Sequence, residues 1–230
     1  DLNDSTGDDG GAINWEGDVG LVKNITCYNS VGVAFDDKVT GSSTSKGGTI
    51  CVTGDNITIT ESKFTLGTVY YNKGKLNETD AGAIFITGEN TTVSHSLFDR
   101  CYSPNHAGAI KVIGNKTIID NCTFVSCNAT EEGGALYVQG LDCKLYNSTF
   151  RNIIAGDDGG AIIWTGARGM IYNSTFTITH AVGMKGHHSK GGSINLIGAN
   201  STVSKSKFEM FSAIVAGGAI YATGDNINRS

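Results

Sequence analysis

The sequence predicts an all-β fold, a right-handed parallel β-helix of about eight coils that forms one domain over residues 1–230. Three observations favour it. A motif of the form G-G-A-I recurs eight times, apolar residues alternate with period 2 between the motifs, and the chain holds 32 glycines but one proline. Four of the seven spacings between motifs are 26 residues and the others are 37, 34 and 32. The repeat is therefore a unit of 26 residues that accepts insertions, as in solenoid proteins.

Alignment on the motif places further residues in fixed columns. Another glycine follows the second glycine of each motif by six residues, from Gly17 to Gly224. An aliphatic column comes next: Val22, Ile59, Val93, Ile119, Leu145, Ile171 and Val203. Five residues later stands a column of Cys27, Phe64, Phe98, Phe124, Phe150, Phe176 and Phe208. One coil cannot bury these side chains alone, so we expect the coils to stack at the spacing of hydrogen-bonded strands, about 4.8 Å.

A bend must lie between the aliphatic and the aromatic columns. They are an odd number of residues apart, so an uninterrupted strand would point them to opposite faces. The residue at the bend is Asn in four repeats and differs in the others: Asn24, Glu61, His95, Asn121, Asn147, Asn173 and Lys205. Asn tolerates the left-handed backbone conformation better than most residues. We predict a single left-handed residue at this bend, with amides that hydrogen-bond between coils.

The combination of G-G-A-I with N-[SC]-T-F, as in Asn121-Cys122-Thr123-Phe124, resembles the repeats of adhesin-like surface proteins of methanogenic archaea. It is also similar to the polymorphic outer-membrane proteins of chlamydiae. The resemblance covers essentially the whole chain. It implies a pectate-lyase-like β-helix, export to the cell surface, and adhesion to a glycan or surface protein of another cell, and it implies no catalytic residues. Fold-level likeness specifies function weakly.

Three insertions are predicted to lie at one corner of the coils, just before the next motif: residues 32–46, 67–80 and 181–190. Loops along one edge of a rigid rod often bind partners, although the same corner is also the easiest place to insert residues. The third insertion contains His187 and His188. Two interpretations are open for this pair: the histidines bind a metal ion, or they belong to a polar loop.

Acidic residues recur near this corner, and four of them belong to adjacent coils: Glu131, Glu132, Asp157 and Asp158. Further members are Asp8, Asp9 and Asp80. Stacked carboxylates repel one another unless water or a cation separates them, and Ca²⁺ prefers oxygen ligands. The sequence thus allows a Ca²⁺ site or a solvated acidic edge, and it suggests no other cofactor.

Outward positions of the strands carry residues suited to binding sugar rings or a partner protein. On the first strand of the coil these are Phe85, Lys111 and Tyr137, and on the second strand they are Tyr146 and Tyr172. The alternative is that they are ordinary strand-forming residues. Trp15 and Trp164 occupy inward columns, where core packing is expected.

Cys101 and Cys127 share a column in adjacent coils, which is compatible with a disulfide or with two stacked buried thiols. The chain also contains twelve N-x-[ST] sequons, a density suited to an exported glycoprotein. The acceptors that we expect to be best exposed are Asn56, Asn77, Asn90, Asn115 and Asn200.

The sequence favours a binding protein over an enzyme. The net charge of −5 offers no basic surface for nucleic acid, and no apolar run is long enough to span a membrane. Polysaccharide hydrolases or lyases on this scaffold need paired carboxylates or a basic residue with a metal, and the outward positions show no such pairing. We expect an extracellular, cell-surface location and a segment of a longer protein. The alternative is a structural subunit that assembles end to end into an extracellular filament or envelope layer.

Overall fold

A computed structural model describes residues 2–3, 6–7, 10–35, 45–72, 79–183 and 189–229. All regular elements in these ranges are β-strands, and all the strand pairs are parallel. The described residues include no helix long and apolar enough to cross a membrane. The three parts of each coil form three stacked sheets, so the predicted parallel β-helix is confirmed.

We name the sheets I, II and III in the order in which the chain passes through them, and number the coils from the motif at Gly10. The strands of sheet I are Ile13–Trp15, Ile50–Val52, Ile84–Ile86, Ile110–Val112, Leu136–Val138, Ile162–Trp164, Ile194–Leu196 and Ile220–Ala222. Those of sheet II are Gly20–Lys23, Ile57–Thr60, Thr92–Ser94, Ile118–Asp120, Lys144–Tyr146, Met170–Tyr172, Thr202–Ser204 and Asn228–Arg229.

Sheet III has two parts in most coils. The strands of its first part are Leu2–Asn3, Thr26–Tyr28, Lys63–Thr65, Leu97–Asp99 and Thr123–Val125. The strands of its second part are Thr6–Gly7, Val31–Phe35, Thr68–Asn72, Tyr102–Ser103 and Asn128–Ala129. Both parts merge in Thr149–Ala155, Thr175–Ala181 and Lys207–Ala213. A separate pair, Ser45–Lys46 with Thr79–Asp80, closes the first two insertions.

The core consists of the predicted columns, aligned in register. Ile84 pairs with Ile50 and Ile110 in sheet I, and Val93 pairs with Ile59 and Ile119 in sheet II. In sheet III the six phenylalanine rings from Phe64 to Phe208 stack with centroids 4.6 to 4.9 Å apart and interplanar angles of 4 to 11°. Apart from Phe208, which is partly buried, these rings are completely buried. The coil spacing therefore equals a favourable ring-stacking distance.

The predicted left-handed bend is confirmed, and three more left-handed positions occur in each coil. The bend residues from Asn24 to Lys205 have φ between 47 and 55°. A second column comprises Val19, Asn56, Asn90, Lys116, Asp142, Arg168, Asn200 and Asn226. A third comprises Asn29, Leu66, Arg100, Ser126, Asn152, Ile178 and Met210, and the fourth is the first residue of each G-G-A-I motif. The β-branched Val19 and Ile178 show that stacking can impose this conformation on residues that rarely adopt it.

A ladder of inward serines supports the bend. The serine after the bend residue accepts a hydrogen bond from the backbone amide at the same position of the preceding coil, at 3.1 to 3.3 Å. Its hydroxyl donates to the carbonyl two residues earlier, at 2.7 to 3.1 Å. The members are Ser62, Ser96, Ser148, Ser174 and Ser206. Backbone groups that the bend would leave unpaired inside the protein are thereby satisfied.

None of the six cysteines forms a disulfide, and all are buried. Burial raises the pKa of Cys27 and Cys143 to about 11 and that of Cys122 to about 12. Cys101 and Cys127 are stacked thiols, and each lies within hydrogen-bonding distance of a backbone carbonyl in the preceding coil, Phe64 O for Cys101 and Phe98 O for Cys127. The neighbouring Cys127 thiol, followed by burial, raises the pKa of Cys101 well above its usual range. Of the two alternatives for Cys101 and Cys127, a disulfide or two stacked thiols, the structure contains the two thiols.

The turn glycines between sheets I and II generate a test of the stacking. A methyl group added at Gly88 would overlap the carbonyl oxygen of Gly54 in the preceding coil, whereas one added at Gly17 would meet no atom within 4 Å. We expect Gly88→Ala to lower the free energy of unfolding by about 3 kcal/mol, near the upper end for single substitutions. Gly17→Ala, in the same column, should leave it nearly unchanged. Thermal unfolding followed by circular dichroism measures both, and equal melting temperatures for the two variants would contradict the predicted contact.

Candidate functional site

The outward face of sheet I is covered by side chains from the corner that precedes each G-G-A-I motif. The residue just before the motif in one coil lies over the middle residue of the sheet I strand in the next coil. The contacts that follow this rule are Asp80 with Lys111, His106 with Tyr137, Asp158 with Asn195, and Lys190 with Tyr221. We define the corner cluster as Asp80, His106, Lys111, Glu131, Glu132 and Tyr137.

An ion pair anchors the corner cluster. The Lys111 Nζ atom lies 2.6 Å from Asp80 Oδ1, and their side chains are only 10 and 15 % exposed. His106 Nδ1 lies 3.4 Å from the same carboxylate oxygen. Burial alone would raise the pKa of Asp80, but the hydrogen bonds with His106 and Lys111 and the charge of Lys111 outweigh it, so the pKa lies below its usual value. Asp80 is thus a fixed anion at neutral pH.

Two glutamates flank the other side of the His106 ring. His106 Nε2 lies 3.8 Å from Glu131 Oε2 and 3.7 Å from Glu132 Oε2. Burial raises the pKa of Glu132; His106 opposes this rise, and the charges of Asp158, Asp157 and Glu131 add to it. The corner thus concentrates carboxylates around one imidazole, and Glu131, with a side chain 43 % exposed, faces solvent.

Tyr137 connects the imidazole with the ammonium group. Its ring packs edge to face against His106, with centroids 4.9 Å apart, and Lys111 Nζ lies 5.0 Å from the ring centroid. Burial, followed by the charges of Glu132 and Asp80, raises the pKa of the Tyr137 hydroxyl to about 12. Tyr137 is therefore a neutral hydrogen-bonding group within a charged surface.

The outward aromatic residues of sheet I are less exposed than their alternation in the sequence suggests. Phe85 is 3 % exposed and Lys111 is 8 % exposed, so neither side chain is accessible to a ligand. Tyr137 is half-buried and is the most exposed of the three. The expectation of exposed binding residues is wrong for Phe85 and Lys111, because the corner segment folds over this column. Trp164 is fully buried, as expected, whereas Trp15 in the first coil is partly buried and donates its indole hydrogen to the Gly17 carbonyl.

The four acidic residues considered as Ca²⁺ ligands do lie on adjacent coils. Asp158, however, accepts hydrogen bonds from the Lys190 backbone amide at 2.8 Å and from Asn195 Nδ2 at 2.9 Å. Burial raises the pKa of Asp158. Within the described ranges, no three His, Cys, Asp or Glu side chains converge on a metal-sized site. Ca²⁺ binding by Glu131, Glu132, Asp157 and Asp158 stays a prediction, and Asp8 and Asp9 lie outside the described residues.

The outward tyrosines of sheet II form a second surface. Tyr146 and Tyr172 are both half-buried, and their rings meet edge to face with centroids 6.3 Å apart rather than in a parallel stack. Lys205 Nζ lies 5.1 Å from the centroid of Tyr172. This pair lies on a different side of the rod from the corner cluster.

Other candidate residues have mixed placements. His187, His188 and the sequon residue Asn77 lie outside the described residues. Asn56, Asn90 and Asn200 are exposed, as expected of glycan acceptors. Asn115 is half-buried, donates to Glu89 Oε1 at 2.8 Å and accepts from the Leu141 amide at 2.9 Å, so a glycan there would break contacts between coils.

Sequence reasoning did not identify His106 or Asn195. A signal exists, because the column of the residue before each motif is almost entirely charged or titratable: Lys46, Asp80, His106, Glu132, Asp158, Lys190 and Ala216. The period-2 pattern places the sheet I column outward but does not show that the preceding column covers it. Comparison with protein-family models, with curated protein sequences and with solved structures returns no match.

The pKa of Glu132 gives a test of the corner cluster. Because the pKa is raised in the folded chain, its contribution to stability is fully present below the ordinary value of 4.5 and is lost as the pH rises through the folded-state pKa. We expect Glu132→Gln to have a higher melting temperature than the parent chain at pH 7, with the difference vanishing near pH 4. The exposed Glu16, changed to Gln, is the control. A Glu132→Gln variant that is less stable at pH 7 would contradict this electrostatic description.

Proposed function

We propose that the chain is an adhesin-like binding module of the cell surface that attaches to a glycan or surface protein of another cell through one edge of the β-helix. One observation carries this proposal: the corner cluster is continuous with the insertions. Strand Thr79–Asp80 ends the second insertion on Asp80, which contacts both Lys111 and His106. Lys190, over the Tyr221 ring, ends the third insertion. Binding residues on loops fixed by a rigid scaffold are a common arrangement.

The chemistry of the cluster favours recognition over catalysis. Lys111 and Asp80 neutralise each other in a nearly buried pair, which holds the corner rigid rather than supplying a free base. His106, Glu131 and Tyr137 offer donors and acceptors at its rim. A rim of this kind suits a polar partner, such as sugar hydroxyls or a basic patch on a protein.

Attachment of the labelled, purified chain to whole microbial cells and to immobilised cell-envelope polysaccharides tests the proposal. One variant has the three insertions shortened to the 26-residue repeat, another combines His106→Ala with Glu131→Gln, and Asp225→Asn at an exposed turn is the control. We expect the first two variants to lose at least tenfold in attachment and the control to retain it. Attachment by both variants at the parent level would exclude the corner, and the absence of any attachment by the parent chain would exclude adhesion.

A second candidate function is a structural subunit of an extracellular filament or envelope layer that stacks end to end. The parallel pairing of equivalent strands, by which each coil already stacks on the next, could continue from one molecule to another. Sedimentation velocity distinguishes the two candidate functions: a monomer at all concentrations contradicts stacking, and growth of the particle with concentration supports it.

A further inference from the structure

A shallow, open groove of about 480 Å³ runs along the bend between sheets II and III in coils 2 to 4. The left-handed bend creates it, because side chains on either side of the bend diverge while the serine ladder forms its floor. Its walls include Glu61, Lys63, His95, Leu97, Asn121 and Thr123. The groove lies away from the corner and its insertions, at the bend between sheets II and III.

Most polar groups in this groove are not used within the protein. In the part of the chain that the structure describes, the side chains of His95, Asn121 and Thr123 make no hydrogen bond to another residue. Glu61 pairs with the exposed Lys23 at 3.1 Å, an ion pair that costs little to open. Donors and acceptors of both charges therefore line one open channel at a regular spacing.

The same columns continue beyond the groove and add aromatic surface. Asn147 Nδ2 donates to Asp120 Oδ1, and Asn173 Nδ2 donates to Asn147 Oδ1, both at 2.8 Å. Tyr146 and Tyr172 precede these asparagines in the chain and stand beside them on sheet II. The bend column thus passes from a carboxylate and an imidazole to amides, and the two tyrosines lie in the adjacent column beside the last amides.

We infer that this groove binds a linear oligosaccharide of neutral or N-acetylated sugars, extended along the rod axis from Glu61 towards Tyr146. Sugar hydroxyls and acetamido groups match the amide, hydroxyl and carboxylate lining, and the apolar face of a sugar ring matches a tyrosine. Columns that repeat at each coil, about 4.8 Å apart, suit a ligand that is itself a repeating chain. The inference rests on the proposed surface-attachment function and places glycan recognition on a different face from the corner.

Isothermal titration calorimetry with chitohexaose and with cellohexaose tests the groove on the whole chain. The groove variants are His95→Ala and Asn121→Ala in the groove lining and Tyr146→Ala at the end of the proposed ligand path, one coil beyond that lining. The control is Tyr28→Ala, an exposed tyrosine in coil 1, outside the groove lining and that path. We expect at least one of the two oligosaccharides to bind, each groove variant to weaken its binding at least fivefold, and Tyr28→Ala to leave it unchanged. Circular dichroism of each variant establishes that the coils are intact.

The outcomes separate this inference from the proposed function. Binding that survives all three groove variants but is lost with His106→Ala and Glu131→Gln overturns the groove and supports the corner. Failure of the parent chain to bind either oligosaccharide, while it still attaches to cells, likewise overturns the groove alone. Oligosaccharide binding that depends on the groove, with cell attachment unaffected by the corner variant, supports the groove and moves attachment away from the corner.

Discussion

The structure depends on one constraint: each coil must satisfy its backbone hydrogen bonds on the coils above and below. In sheets I and II every strand pairs only with the equivalent strand of a neighbouring coil, column to column. This fixed register explains the other regular features. Turn glycines are needed because the carbonyl of the adjacent coil occupies the space of a side chain at positions such as Gly88. The phenylalanine rings stack in parallel because equivalent positions of adjacent coils are one ring-stacking distance apart and the rings are enclosed in the core.

The sequence predicts this architecture well because equivalent positions of stacked coils share one environment, so the same residue type recurs at a fixed spacing in the sequence. Apolar columns an odd number of residues apart require a bend, and Asn121 or Asn147 reveals its left-handed conformation. At Leu66, Ile178 and Met210 the left-handed conformation could not be predicted, since none of these residue types favours it. There the conformation follows from stacking on neighbouring coils, which is a tertiary effect that a local sequence pattern does not carry.

The candidate site was only partly predictable for a similar reason. Alternation in a strand tells which side chains leave the core, and it identified Lys111 and Tyr137 correctly as outward. It does not tell whether another segment covers them, and the contacts of Asp80 and His106 across coils bury Lys111 almost completely. The corner and the bend groove thus differ in kind, because the corner residues largely satisfy one another, whereas His95 and Asn121 in the groove remain available to a ligand.

The central claim, that register between coils determines the fold, is tested most directly by two deletions that differ by one residue. Removal of residues 119–144 takes out 26 residues and joins Ile118 to Leu145 with every column preserved. Removal of residues 120–144 leaves one extra residue in the sheet II strand, so every side chain that follows in that strand would face the wrong way. Thermal unfolding followed by circular dichroism should show a cooperative, β-rich transition for the first variant and none for the second. Equal behaviour of the two variants would contradict the account.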